Sequence, residues 1–214
     1  MSIQNYGDLK TEIINFMKKP ELSVRLPTFV GLAEDRIYNE LDSPDIETVA
    51  TLTIDAQTVA LPSDFLEQRS HYIDVADPIQ RVQFAPPERF RDYDQGQASG
   101  FPSFYTIEGG NLLFSPPPDG TYTGKWTYLA RNPRLVDDTD TNEILQNYAG
   151  LYLYGSLIEA NGFTGNDPRA MTWATFYDDA MEKAQKLARR KRFPKGEKQA
   201  RSRVQISSGG RTKM

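Results

Sequence analysis

Residues 104–130 read FYTIEGGNLLFSPPPDGTYTGKWTYLA, and the parsing of this stretch decides what fold surrounds it. Two strand-like runs, 103–108 and 111–115, flank Gly109-Gly110. A glycine pair between such runs predicts a β-hairpin. Pro116, Pro117 and Pro118 have no N–H to give to a ladder and predict a stiff connector at a sheet edge. Asp119-Gly120 then turns the chain into a third run, 121–130. There Tyr122, Trp126, Tyr128 and Ala130 share one face, and Thr121, Thr123, Lys125 and Thr127 share the other. That is the alternation of a half-buried strand. With threonine and lysine outward, the aromatic residues read as core packing and not as a platform for a sugar or a base.

The period of two reaches back to residue 48. Segments 48–54 and 58–61 flank Asp55-Ala56-Gln57 and predict a second hairpin. Residues 68–75 and 79–84 are strand-like, and Pro86-Pro87-Glu88 opens a short helix through Tyr93. On either side the period is 3.6. Tyr6, Leu9, Ile13, Phe16 and Met17 form one stripe behind a cap at Asn5, and Leu22, Leu26, Phe29, Val30, Ala33, Ile37 and Leu41 form a second, in which Pro27 implies either a start nearer Leu26 or a kink, closed by Ser43-Pro44. After the acidic loop LVDDTDTNE, a third stripe runs from Ile144 to Ile158 and ends at Asn161-Gly162. Asp167-Pro168 starts a fourth, from Trp173 to Ala188. The expected fold is therefore α+β: an antiparallel four-helix bundle formed by the N- and C-terminal helix pairs, with a central β-rich insertion lobe and an extended basic C-terminal tail. In numbers, 1–42 and 143–193 are the bundle, 43–142 the insertion and 194–214 the tail.

The chain has 214 residues, no cysteine and one histidine. It is long enough to bury a substantial core. The missing cysteine excludes a disulfide framework and a thiolate nucleophile, as expected of a chain assembled in a reducing cytoplasm. The opening MSIQNYGDLK lacks the apolar core of a signal peptide, and no apolar run approaches membrane-spanning length, so a soluble, unexported chain with no membrane partner is expected.

The net charge of −4 is unevenly placed: residues 189–214 carry ten Lys/Arg and one Glu, a local +9, which leaves −13 on residues 1–188. Cations at the end of a helix suit its dipole, which accounts for part of the run Arg189, Arg190, Lys191, Arg192. It does not account for Lys195, Lys198, Arg201 and Arg203 beyond Pro194. Val204 and Ile206 alternate with polar residues, a pattern able to add as a strand to a partner's sheet. These ten residues are the expected partner-binding set.

Catalytic signals are sparse. His71 sits inside a predicted strand without a marked nucleophile beside it, and reads as structural. No GxSxG, HExxH, Walker or GxGxxG pattern occurs. Asp138, Asp140 and Asn142 match the first ligand positions of a calcium loop, but Glu143 and Ala149 stand where its glycine and bidentate glutamate belong. Thr141 or Asn142 capping a helix that begins near Glu143 is the better reading. No metal or cofactor site is expected.

Taken in order, YGDLKTEI with LAEDRIYNEL, TLTIDAQTVALPSDFLE, GFPSFYTIEGGNLLFSPPPDGTYTGKWTYLARNPRL and TNEILQNYAGLYLYGSLIEA resemble the adaptor proteins of the tailed-phage head–tail connector. The resemblance implies a virion structural protein without enzymatic activity, made in the host bacterial cytoplasm and placed at the head–tail interface. It implies a homo-oligomeric ring, expected to be dodecameric, beneath the portal protein, with a tail nozzle or tail terminator protein below. Genomic DNA would pass through the lumen without sequence-specific binding, and the C-terminal segment would reach the portal. Two other readings fit the residues: a DNA-binding packaging or replication accessory acting through the basic tail, and a hydrolase whose site is assembled only in the fold.

Overall fold

The computed structural model describes residues 3–74, 81–165 and 167–193. Helix α1 spans Tyr6–Met17. Asn5 caps it, its Oδ1 accepting the Asp8 N–H at 2.8 Å. The helix buries Tyr6, Leu9, Ile13 and Met17 and stops at Lys18, whose φ of 56° is left-handed. A 3-10 segment, Pro20–Arg25, leads into α2, Leu26–Glu40, with Pro27 in the first turn where its missing N–H costs nothing. Helix α4, Glu143–Thr164, is capped by Asn142, whose side chain accepts the Leu145 N–H at 2.8 Å. Helix α5 runs Ala170–Arg192 and buries Trp173, Tyr177, Met181, Ala184 and Ala188. A short helix, α3 (Pro87–Asp94), packs on the sheet region.

The strands form two sheets. The first has the order β1 (Glu47–Ile54), β7 (Tyr122–Ala130), β3 (Phe65–Asp74), all antiparallel. The second has the order β2 (Thr58–Ala60), β6 (Asn111–Ser115), β5 (Phe104–Glu108), β4 (Gln83–Phe84), with β4 parallel to β5. Between them lies an aromatic core centred on Trp126 of β7, which meets Tyr105 and Phe114 of the second sheet edge-on at ring distances of 5.9 and 6.0 Å.

Several expectations need correction. No antiparallel four-helix bundle of N- and C-terminal pairs forms: the described residues make five α-helices and two sheets, and the strands lie between α2 and α4. Helices α1, α2 and α5 each pack chiefly on α4. The physical reason is in α4 itself. It buries Ile144, Leu145, Tyr148, Leu151, Tyr152, Leu153, Gly155, Ser156, Leu157 and Ala160, residues on nearly every side, and a helix apolar all round becomes the hub of a core. The β region also feeds that core, through Leu129 of β7 and Leu135 of the following loop. The expected hairpin of 48–54 with 58–61 does not form either: β1 pairs with β7 and β2 with β6, in different sheets. Strand β4 is confined to Gln83–Phe84. Helix α4 runs past Asn161-Gly162 to Thr164, where Gly165 (φ 67°) caps it, and α5 begins at Ala170, with Asp167 accepting the Arg169 N–H ahead of it. The hairpin of β5 and β6 is as expected, with Gly109 and Gly110 at φ 59° and 77° in the turn.

Candidate partner-binding surface

The last turn of α5 carries four of the ten predicted binding residues, and the fold divides them into two pairs. Lys191 and Arg192 turn back onto the body. Lys191 Nζ donates to both carboxylate oxygens of Asp45, at 2.6 and 2.8 Å. Arg192 donates to Asp42 through two nitrogens, each at 3.1 Å, and to Glu47 at 2.5 Å. Arg69 of β3 also bonds Asp42. Arg189 and Arg190 are exposed, and neither has an ion pair among the described residues. Arg189 and Arg192 line a cavity of about 420 Å³ with Asp42, Gln185 and Phe193. Lys195, Lys198, Arg201, Arg203, Val204 and Ile206 lie outside the described residues.

The acidic half of this arrangement comes from the turn after α2. Ser43 starts a 3-10 turn, Pro44–Ile46, its hydroxyl accepting the Asp45 N–H at 3.2 Å. This places the Asp45 carboxylate where it also accepts from Tyr148 Oη at 2.6 Å and Ser43 Oγ at 3.1 Å. Burial pushes the Asp45 carboxyl up, but the hydrogen bonds from Lys191, Tyr148 and Ser43 outweigh it and hold the group below the usual range. The Arg192 hydrogen bond does the same for Asp42. Tyr148 itself has φ −139° and ψ 43°, a non-helical conformation that kinks α4. The sequence reading missed Asp42, Asp45 and Glu47. Their only signal is a carboxylate-rich turn, LDSPDIE, whose spatial partner lies about 150 residues downstream.

The other candidates are occupied by structure. His71 stacks on Trp126 at 5.0 Å and meets Tyr105 edge-on at 4.4 Å. Its Nε2 donates to the Val82 carbonyl at 2.6 Å, which leaves Nδ1 to accept from Gln68 Nε2 at 2.7 Å. Burial pushes its pKa down, so the ring is neutral near pH 7. The calcium-like residues do not converge: Asp138 pairs with Lys10, Asp140 accepts the N–H groups of Val136 and Asp137 at 2.8 Å each, and Asn142 caps α4. Among the described residues no group of three or more His, Asp or Glu is placed to hold a metal. None of the described helices is long and apolar enough to cross a membrane.

The described end of α5 thus carries two cations held by carboxylates and two exposed arginines. The family model of the SU10 adaptor protein matches residues 4–204, and the chain belongs to that family. The match agrees with the phage head–tail adaptors that the sequence resembles, and it spans the helices, both sheets and much of the basic segment. Comparison with curated proteins gives no match.

Proposed function

We propose that the protein is the head–tail connector adaptor of a tailed phage. Copies assemble into a ring, dodecameric in this reading, that docks beneath the portal, prolongs the DNA channel and offers its lower face to a tail nozzle or tail terminator protein. The basic segment is the portal anchor: Arg189, Arg190 and the cations beyond Phe193 reach the portal, while Lys191 and Arg192 fix the root of the segment on the body. The observation that carries this reading is that division of labour at the end of α5, with two cations held by Asp42, Asp45 and Glu47 and two left free for a partner. The −13 charge of residues 1–188 suits a channel wall, because like charge lets a phosphate backbone slide without being trapped.

Electron microscopy of the purified chain mixed with the portal ring of the same genome tests this. The full chain and a truncation ending at Phe193 are compared at low and moderate salt. A second ring on the portal with the full chain only is the expected result. Failure of both to bind the portal, together with salt-dependent DNA binding by the full chain, would instead identify a DNA-binding accessory acting through the same tail.

A further inference from the structure

On the face of α2 beyond its contact with α4 lies a cavity of about 270 Å³, walled by Tyr6 of α1, Val30, Gly31 and Glu34 of α2, and Arg134 and Leu135 of the loop after β7. Two of its polar walls, Tyr6 and Glu34, are buried. Tyr6 is 1% exposed, and its hydroxyl has no hydrogen-bond partner among the described residues. Glu34 is 2% exposed, and the hydrogen bond it shows is to one oxygen only, from Tyr152 Oη at 2.7 Å. Of the cations close by, Arg131 bonds Asp35 at 2.7 Å and Lys10 bonds Asp138, while Arg134 stands exposed in the cavity wall without an ion pair among the described residues.

A buried carboxyl group without a cation in contact is costly, and the surroundings register that cost. Burial pushes the Glu34 pKa up, with Arg134 and Arg131 offsetting it in part. The Tyr6 hydroxyl is pushed up by burial, then by the fields of Asp138 and Glu34. What favours a cationic guest is the geometry: the Glu34 carboxylate and the unpartnered Tyr6 hydroxyl are both acceptors for an N–H donor placed in the cavity. Its volume is far more than the roughly 30 Å³ share of one water. Apolar walls at Val30 and Leu135 suit the methylene stem of a long basic side chain, with the head group meeting Glu34 and Tyr6.

We propose that this cavity is a socket for a lysine or arginine side chain from the basic C-terminal segment of a second copy of the chain. The inference rests on the ring reading above, which brings copies side by side. Charge complementarity selects the occupant, since residues 189–214 carry +9 and the remainder of the chain −13. The socket lies along the first half of α2, whereas α5 ends at Asp42, beyond the last residue of α2. A contact between unlike surfaces of this kind is heterologous, the type that closes rings. Six Lys and Arg residues beyond Phe193 leave enough for the socket and for a portal above it.

The test uses the full chain with a photo-crosslinking residue in place of Val136, which is 71% exposed at the socket's rim. An isotope-labelled peptide of residues 194–214 is added and the crosslinked products are identified by mass spectrometry. Two substitutions probe the socket separately. Glu34→Gln keeps the shape and an acceptor for Tyr152. Gly31→Phe adds bulk at a socket-lining position where an added Cβ meets nothing within 4 Å. Each is expected to cut capture of the peptide at least tenfold while circular dichroism is unchanged, and replacing Arg201 and Arg203 of the peptide by glutamine is expected to do the same. Capture unaffected by Gly31→Phe would overturn the socket, because the peptide would then lie elsewhere. Crosslinking to the chain's own tail at high dilution would overturn the second copy as occupant. Normal rings on the portal with Gly31→Phe and undiminished peptide capture would sink this inference and leave the adaptor reading standing, while peptide capture without any portal binding would do the reverse.

Discussion

Around α4, the buried side chains come from every neighbour: Leu9 and Ile13 of α1, Phe29 and Ile37 of α2, Trp173 and Tyr177 of α5, and Leu129 at the β7 end. Between the two sheets the arrangement is different. Trp126 is fully buried and touches His71, Tyr105 and Phe114, so three rings depend on one. The helical core is distributed and the sheet core is concentrated. A distributed core absorbs the loss of one contact by small shifts of several neighbours. A concentrated one loses its shared partner at a single position and leaves a cavity that pleated strands cannot close.

Trp126→Ala is therefore expected to be the most damaging single change, costing about 3–5 kcal/mol in denaturant unfolding. A loss below about 1 kcal/mol would break the picture of a concentrated core. The next comparison uses one substitution in both cores. A Cβ at Gly124 would lie 2.6 Å from Trp126 Cζ3 and 2.8 Å from Ile54 Cδ1, with neither side chain free to move. Gly124→Ala is expected to cost about 1–3 kcal/mol by overpacking. At Gly155 of α4 the nearest atoms are Ala33 Cβ at 3.1 Å and Tyr177 Cε2 at 3.3 Å, so a few tenths of an ångström of adjustment suffices. The gain of about 1 kcal/mol for alanine over glycine in a helix offsets that crowding. Gly155→Ala is expected to leave the melting temperature within a few degrees of the wild type. Equal losses at the two glycines would show that the cores do not differ in tolerance.

The same contrast explains what the sequence disclosed. Helices declare themselves within a dozen residues: Asn5 and Asn142 cap, Pro27 sits in a first turn, and the apolar stripe repeats on the helix itself. Strand existence was equally local, and the alternation around Trp126 marked β7 correctly as half-buried. Strand partners were not local. β1 looked joined to β2 by a short turn, yet its ladder is with β7, pairing Ala50 with Trp126 across 76 positions. Nothing in residues 48–61 encodes that choice, which depends on how a second sheet covers the first. The role of α4 as hub was written in its apolar residues on every side, but a helix pair on each side of the β region invited the simpler bundle. At the surface, the basic half of the α5 end was legible as charge. Its acidic half was not, because Asp42, Asp45 and Glu47 become a site only when α5 arrives beside them.

That surface supplies the smallest predicted effect and the one with a defined pH dependence. Asp42 and Asp45 are held below the ordinary carboxylate range in the folded chain. A carboxyl group with a depressed folded pKa contributes stability above its unfolded value, about 3.9, and loses it as pH falls through the folded value. The end of α5 should accordingly stay docked at pH 5 and above and loosen below about pH 4. Solvent screens these partly exposed pairs, so each is worth no more than about 1 kcal/mol and global unfolding should barely register their loss. Hydrogen exchange resolves it: between pH 5 and pH 3, after correction for intrinsic rates, amides of residues 185–192 should lose protection while those of Trp173–Met181, on the buried half of the same helix, keep theirs. Asp45→Asn should reproduce the loosening at neutral pH, since an amide cannot neutralise Lys191. Uniform loss of protection along α5 would mean that the pairs do not act as a local clasp, and that packing alone sets where the basic segment leaves the body.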